Sequence, residues 1–415
     1  MNILITTLGS HGDLHPFLGI AAALQACGHL VKVLASAYYD SLVRAMGLDF
    51  VPLGTAEDFL SVARDPDVWH PQRGIGLIAQ SLGKSMQRGY KAILEHAVPG
   101  KTVLVYSTLA FEARVAQETL GLPGVTVHLS PSIFRSVYDS PKITGMPMPA
   151  WLPKRVKEGM FELADRLIID PLFGKPINAF RASLALLPVH GILADWCHSP
   201  QRVIGLFPAW YAAPQPDWPH QAVVTGFPLF DEKEVTPIPE NVKAFLDAGS
   251  PPIVFTPGSA MVHGHDFFAA AVRACQIMGR RALLLTRHAE QIPANLPEGI
   301  FHAPYAPFSQ VLPRSAAVVH HGGIGSTAQA MACGVPQLLM PMGFDQPDNA
   351  ARIKALGVGD YLQRHQFEPD AVAAKLRGLL QSAKTTKACR TVAGRFKTEP
   401  NALAETVRVI EETAP

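Results

Sequence analysis

The stretch TLGSHGDLHP, residues 7 to 16, sets His11, Asp13 and His15 within five residues directly after the first apolar run of the chain. An imidazole with an ordinary pKa of about 6.5 is suited to proton transfer at neutral pH, whereas a carboxylate at about 3.9 needs a raised pKa or a late transfer. A helix N-terminus lowers a carboxylate further, so side-chain chemistry alone favours His11 as a base. The bland alternative makes Asp13 the cap of a helix beginning near Pro16, with His11 in an exposed loop. His15, just before Pro16, reads as ordinary loop. Gly9 and Gly12 would let the backbone approach a ligand closely.

A second stretch, VVHHGGIGSTAQAMACGVPQLLMPMGFDQPDNAARIKALGVG (318–359), carries a different chemistry. A strand ends at His320 and His321, two glycines follow, and Gly325-Ser326-Thr327 opens a helix. Backbone N–H groups at such a terminus bind phosphate, and the Ser326 and Thr327 hydroxyls can add donors. The same pattern also occurs as a plain turn. After PQLLMP come Asp345 and Gln346, then Asn349 and Arg352 on a helix. Carboxylate beside amide suits a sugar, whose hydroxyls need acceptors and donors, although alone the pair also reads as a cap.

These loops need strands and helices to hold them. NILITTL (2–8), the polar loop, a helix through FLGIAAALQACGH and VKVLAS (31–36) make a βαβ unit with parallel strands. KTVLVYST (101–108), FEARVAQETLG and VTVHLS (125–130) repeat it. The proline-dense FPAWYAAPQPDWPHQ marks a connector. The alternation then restarts with PPIVFTPGS (251–259), DFFAAAVRACQIMG and RALLLT (281–286), and continues with SAAVVHH, GSTAQAMACG and PQLLMP. Two α/β halves follow, each opening with a strand that runs into a Gly-Ser loop. In such sheets ligands bind at the carboxyl ends of the strands, where these loops lie.

Composition excludes several classes. The formal charge of +2 over 415 residues does not fit nucleic-acid binding. The five cysteines, Cys27, Cys197, Cys275, Cys333 and Cys389, contain no C-x-x-C pair, so neither a zinc site nor a disulfide framework is suggested and a reducing cytoplasm fits. MNILITTLGS reads as a strand without the basic and apolar regions of a signal peptide, so secretion is not expected, and no apolar run reaches the ~20 residues that span a bilayer. WLPKRVKEGMFELADRLIIDPLF (151–173) is read as an amphipathic surface helix, with peripheral contact to the inner membrane as the alternative.

The order and spacing of His321-Gly322-Gly323, Ser326-Thr327, Gly334-Val335-Pro336, Pro341, Asp345-Gln346 and Asn349-Ala350 resemble the donor-binding signature of GT-B glycosyltransferases of the plant and macrolide type. TLGSHGDLHPFLGIAAALQACGHLVKV resembles the N-terminal signature of the same superfamily, which includes sterol and glycopeptide glycosyltransferases. DPDVWHPQ (65–72), CHSPQRVIGLFPAWYAAPQPDWP (197–219) and TGFPLFD (225–231) resemble, more narrowly, the rhamnosyltransferases that make mono-rhamnolipids in bacteria.

The resemblance implies a GT-B fold of two Rossmann-like, doubly wound α/β domains facing a cleft. Residues 1–220 would bind the acceptor, 221–395 the nucleotide sugar, and 396–415 would return as a helix to the first domain. It implies that His321 contacts the diphosphate, with Gly12, Gly323, Gly325, Ser326 and Thr327 around it and Gly258-Ser259 closing it. Asp345 and Gln346 would hold the hexose hydroxyls. Tyr305 takes the place of the aromatic that stacks on the base, and Ala306 would pair with the base through its backbone. Two departures stand out: the family's asparagine before Ser326 is Gly325, and its ribose-binding glutamate is Gln329.

For the opening loop, a histidine at the position of His11 is the base in macrolide and plant relatives. In glycopeptide, sterol and rhamnolipid relatives the role falls to a carboxylate at the position of Asp13. The aspartate that orients the imidazole in the histidine type is Ser107 here, which adds weight to Asp13. A shared role is expected, with Asp13 as base or electrostatic partner and His11 as base or acceptor-orienting group. The implied reaction is a metal-independent inverting transfer from a UDP- or dTDP-linked hexose, with no D-x-D motif, no cofactor and a lipophilic hydroxylated acceptor. Trp69, Ile75, Leu77 and Phe134 could wall that acceptor, although each also reads as core. A nicotinamide dehydrogenase is disfavoured because the first loop lacks G-x-G-x-x-G spacing. A non-hydrolysing nucleotide-sugar epimerase and a non-catalytic nucleotide- or lipid-binding protein are the competing readings. Sugar, nucleotide, acceptor and oligomeric state stay open.

Overall fold

Ile3, Leu4 and Ile5 of β1 (Asn2–Thr6) have no exposed surface, as required of a central strand covered on both faces. In the computed structural model, which describes residues 1–70 and 73–414, β1 anchors a seven-stranded parallel sheet. The other strands are β2 (Leu30–Ser36), β3 (Asp49–Leu53), β4 (Thr102–Ser107), β5 (Gly124–His128), β6 (Arg202–Gly205) and β7 (Ala222–Val224), in the order β3-β2-β1-β4-β5-β6-β7. The last two residues of DPDVWHPQ lie outside the described residues, as does the last residue of the 396–415 segment.

A second parallel sheet contains β8 (Ile253–Thr256), β9 (Ala282–Leu285), β10 (Ile300–Ala303), β11 (Ala317–His320), β12 (Gln337–Leu339) and β13 (Gly359–Tyr361). Its order is β10-β9-β8-β11-β12-β13. The first six strands of each sheet therefore follow the same order, 3-2-1-4-5-6, the doubly wound arrangement. The short strands β3, β6, β7, β10 and β13 are additions to the strands read from the sequence.

The chain divides into two compact units, Met1–Pro228 with Pro400–Pro415, and Leu229–Glu399. A boundary at 220 would cut β7 from its sheet, where Val203 pairs with Ala222, so the first unit runs on to Pro228. The helix Ala383–Thr398 stays with the second unit, and the return begins at Pro400 rather than 396. In the first unit the final helix, Ala402–Glu411, is tied down by Thr406 Oγ1 to Thr225 Oγ1 at 2.8 Å and by Glu411 Oε1 to His29 Nε2 at 2.8 Å.

The opening helix spans His11–Ala26, starting earlier than Pro16. Ser10, not Asp13, is its N-cap: extended at φ −82° and ψ −179°, it accepts from Gly12 N through its hydroxyl. Asp13, in the third helical position, returns the bond to Ser10 and completes a capping box. Pro16 lies inside the helix, where it can donate no bond to the Gly12 carbonyl.

Of the stretch 151–173, residues 151–153 precede a helix, Lys154–Ala164, which is continued by a π-helical segment, Asp165–Gly174. Phe161, Ile169 and Phe173 are buried, while Trp151, Leu163, Leu167 and Ile168 are exposed. No helix among the described residues is long and apolar enough to cross a membrane.

Candidate active site

In a sheet ordered 3-2-1-4-5-6 the chain reverses its winding between the strands ranked first and fourth, opening a crevice beyond their carboxyl ends. In the first unit these are β1 and β4, paired up to Thr6 and Tyr106; in the second they are β8 and β11, paired up to Thr256 and His320. The loops marked by their chemistry occupy those places.

In the first unit, Asp13 Oδ2 accepts from Ser10 N at 2.7 Å and from Ser10 Oγ at 2.9 Å. The carboxylate is half-buried, and burial raises its pKa against the opposing Ser10 hydrogen bonds. Gly9, at φ +128°, carries the loop over this carboxylate, and its carbonyl accepts from Tyr39 Oη at 2.9 Å. His11 is only 8% exposed, with its ring edge-on to Tyr39 at 4.9 Å, Tyr38 at 5.8 Å and His15 at 5.7 Å. The bland alternative of an exposed loop histidine therefore does not hold, because the ring is packed. Tyr38 and Tyr39, with Phe59 stacked on Tyr38 at 4.7 Å, form an aromatic wall that sequence reasoning missed. Ser107 Oγ accepts from Leu8 N at 3.4 Å, holding the opening loop to the end of β4. Gly12 is exposed beside Asp13.

Among the candidate acceptor residues, Trp69 ends a short 3-10 turn, and Ile75 and Leu77 lie in the first turns of the helix Arg73–His96. All three are half-buried, and Ile75 packs toward Ala79, Phe111 and Phe173. Phe134 differs. It is 5% exposed, stacked with Trp218 at 4.3 Å and lying parallel to His198 at 6.0 Å, so it belongs to the core and offers no open wall.

In the second unit the His321 ring is caged by two glycines. A Cβ on Gly258 would lie 2.6 Å from its Cε1, and one on Gly323 would lie 2.4 Å from its Nε2. Gly258 also holds φ +97°. Burial, with a smaller contribution from His320, lowers the His321 pKa to about 3 and keeps the ring neutral. Its Nδ1 is buried without a hydrogen-bond partner among the described residues. Such orphaned atoms are rare in folded proteins and point to a ligand. His320, wholly buried, braces the turn: its Nδ1 accepts from Gly322 N at 3.1 Å and its Nε2 meets Gln337 Oε1 at 2.9 Å.

The helix that follows, Ile324–Ala332, has Gly323 as N-cap, no side-chain cap and no acidic residue in its first turn. Among the described residues, no side chain therefore caps its leading N–H groups. Gly325 and Ser259 are exposed and Ser326 is half-buried. Thr327 departs from the expected donor role: its buried hydroxyl donates to the Gly323 carbonyl at 2.9 Å inside the helix.

Asp345 and Gln346 also divide in role. Asp345 is half-buried and its Oδ2 accepts from Asn349 Nδ2 at 2.8 Å. Gln346 is 3% exposed and spends its carbonyl on Met342 N at 2.8 Å and Gly343 N at 3.3 Å, so it braces the loop. Asn349, without exposed surface, also donates to the Gly322 carbonyl at 2.9 Å and thereby couples Asp345 to the His321 turn. Phe344, at φ +56° and half exposed, holds the strained position beside Asp345.

Tyr305 is half-buried. Its hydroxyl accepts from Glu232 N at 3.2 Å, and the Arg287 guanidinium stands 5.2 Å from its ring centre. Arg287 also reaches both Glu232 carboxylate oxygens at 3.3 Å. Burial, then the Glu232 charge, pushes the Tyr305 hydroxyl well above its ordinary pKa. Arg287 and Glu232 were not picked out in the sequence, where no motif marks them. Ala306 is buried, and Gln329 Nε2 donates to the Phe230 carbonyl at 3.3 Å.

Residues 3–139 match the glycosyltransferase family 28 N-terminal domain, and residues 281–412 match the erythromycin biosynthesis protein CIII-like C-terminal domain. The O-mycaminosyltylonolide 6-deoxyallosyltransferase of Streptomyces fradiae is 30% identical over 397 residues, covering 91% of this chain and 89% of the relative. Glycosyltransferase GtfC of Amycolatopsis orientalis is 28% identical over 409 residues, covering 97% and 96%. Among solved structures, the kitacinnamycin glycotransferase superposes with a TM-score of 0.76 at 19% identity, covering 100% of this chain and 99% of that one. The glycosyltransferase VinC, solved in complex with dTDP, superposes with a TM-score of 0.70 at 19% identity and the same coverage.

Proposed function

Since the chain belongs to the glycosyltransferases that join a family 28 N-terminal domain to an erythromycin CIII-like C-terminal domain, we propose that it moves a hexose from a nucleoside-diphosphate sugar to a hydroxyl of a lipophilic small molecule, with inversion. The observation that carries this reading is the glycine-caged, neutral His321, with its orphaned Nδ1, at the start of a helix without a side-chain cap. A diphosphate satisfies both needs at once. The dTDP bound by VinC and the 6-deoxyallosyl transfer named for the Streptomyces fradiae relative support a nucleoside-diphosphate-linked hexose as donor, with UDP kept beside dTDP as the alternative nucleotide.

The first unit supplies the proton acceptor. Asp13 is half-buried, whereas His11 is almost enclosed by Tyr38, Tyr39 and His15; the carboxylate is the group better placed to meet an acceptor hydroxyl. Asp13 takes the hydroxyl proton as the acceptor oxygen bonds to the anomeric carbon. The bond from that carbon to the diphosphate oxygen breaks, and its electron pair leaves with the nucleotide. The N–H groups of Ile324, Gly325 and Ser326 and the His321 ring stabilise the charge that develops there. Asp345 holds hexose hydroxyls, Asn349 and Gln346 fix its loop, and Tyr305 with Ala306 meets the base. His11 orients the acceptor, whose apolar body lies against Trp69, Ile75 and Leu77. The exposed Trp151, Leu163, Leu167 and Ile168 would draw the first unit to membranes that hold such acceptors.

The deciding experiment is a mass-spectrometric transfer assay that offers UDP-glucose and dTDP-rhamnose separately to phenols, sterols and hydroxy fatty acids. A new glycoside formed by wild type and lost in Asp13→Asn supports the reading. Tight nucleotide binding without any glycoside would favour an epimerase or a binding protein instead.

A further inference from the structure

Away from these loops, the first unit gathers three metal-ligating side chains that the reaction does not use. His128 ends β5, and Cys197 and His198 immediately follow the short π-helical turn Ile192–Trp196 that leads to β6. All three are buried, at 0%, 1% and 6% exposure. His128 Nε2 lies 2.8 Å from His198 Nδ1, Cys197 Sγ lies 3.9 Å from the same Nδ1, and the three ligand atoms fall within 4.8 Å of one another.

The surroundings are those of ligands held from behind. The outer nitrogen of His128, Nδ1, meets the half-buried Thr108 Oγ1 at 2.8 Å. Metal-ligating histidines are oriented by this kind of outer contact, which frees the inner nitrogen for the ion. Phe134 lies parallel to His198 and Trp218 stacks on Phe134, closing the cluster with aromatic surface.

We propose that His128 Nε2, His198 Nδ1 and Cys197 Sγ bind one zinc ion as a structural site of the first unit, oriented by Thr108. Zinc holds nitrogen and sulfur ligands at roughly 2.0 to 2.3 Å, which sets them roughly 3.3 to 3.8 Å apart. The separations of 2.8 and 3.9 Å straddle that range, so the imidazoles part by about half an ångström and the thiol closes in by less. On binding, the Cys197 S–H bond breaks, a sulfur–zinc bond forms and the thiol proton passes to solvent; the proton between His128 Nε2 and His198 Nδ1 also leaves, and the ring that carried it is reprotonated at its outer nitrogen, so both inner nitrogens face the ion and no oxidation occurs. A fourth, solvent-derived ligand would complete the tetrahedron. The ion would clamp the end of β5 to the segment entering β6.

The test uses full-length protein stripped with a chelator and titrated with Co²⁺, then Zn²⁺, so its outcome does not depend on transferase activity. Wild type is expected to develop, at one equivalent, the visible bands of tetrahedral cobalt and a thiolate-to-cobalt charge-transfer band, both abolished by Zn²⁺. Cys197→Ser should lose the charge-transfer band, whereas Cys333→Ser should keep it. Zinc should raise the melting temperature of wild type and leave that of Cys197→Ser unchanged. Should Cys197→Ser fail to fold, the wild-type titration decides alone. A wild-type spectrum without these bands, or bands that persist in Cys197→Ser, would overturn the site and leave a hydrogen-bonded core cluster.

Discussion

A Cβ placed on Gly9 would lie 2.3 Å from Oδ2 of Asp13, the oxygen that holds the capping box together. Gly9→Ala adds this clash to the strain of φ +128°. The variant is expected to lose about 1–3 kcal/mol of stability and most of its turnover, read by thermal unfolding and by the transfer assay. Full turnover in a folded variant would show that the placement of Asp13 does not matter.

The cap and the base can be separated. Ser10→Ala removes the cap hydroxyl and should cost about 1 kcal/mol. Asp13→Asn keeps an oxygen for Ser10 but cannot take a proton. Its turnover should fall about 10²–10⁴-fold with a smaller change in melting temperature. If the two variants lose activity only in proportion to stability, Asp13 is a cap and nothing more.

On the donor side, His321→Ala should weaken dTDP and UDP binding at least tenfold in calorimetry, about 1.4 kcal/mol. Gly258→Ala drives a methyl into the same imidazole and should do likewise. Unchanged affinity in both would move the diphosphate elsewhere.

Asn349→Ala strips one shared donor from the Gly322 carbonyl and the Asp345 carboxylate. Losing these two hydrogen bonds costs about 1–3 kcal/mol. Donor KM should rise more than kcat falls, because both bonds organise the donor loops. A pure loss of kcat would contradict that role.

Glu112 supplies a pH test. Burial pushes its carboxyl from 4.5 to about 7, with Thr6 Oγ1 donating to it at 3.1 Å. A carboxyl raised in the folded state is fully stabilising below its unfolded pKa and loses that contribution as pH rises through the folded value. Stability should therefore fall by on the order of 3 kcal/mol between pH 4.5 and 7. Glu112→Gln should flatten that slope in chemical denaturation; an identical slope would assign it to other groups.

The loops after β1, β8 and β11 were legible because glycine and polar residues interrupt apolar runs, a local signal. The helix start was misplaced because Pro16 resembles a first-turn proline, while Ser10 and Asp13 form the less familiar aspartate version of a capping box. Strands such as AVV and GDY are too short to show alternation and exist by pairing with longer neighbours. For Phe134 the sequence left acceptor wall and core both open, because Trp218 and His198, which settle it as core, reach it from distant positions. Likewise no spacing rule joins His128 to Cys197 and His198; the adjacency of β5 and β6 does. Asn349 was noticed, but its two acceptors became visible only in three dimensions.

The two units share a strand order yet finish their leading helices in opposite ways. The His11–Ala26 helix carries its own anion, supplied by Asp13 and secured by Ser10; the Ile324–Ala332 helix begins at a glycine with no acidic residue in its first turn. One unit thus encodes its counter-charge, and under the proposed function the other would borrow it from the donor. Occupancy then becomes part of folding: each bound nucleotide should slow amide exchange in the His321 turn while leaving the opening loop as it was, making the second unit a gauge of how much donor sugar surrounds the enzyme.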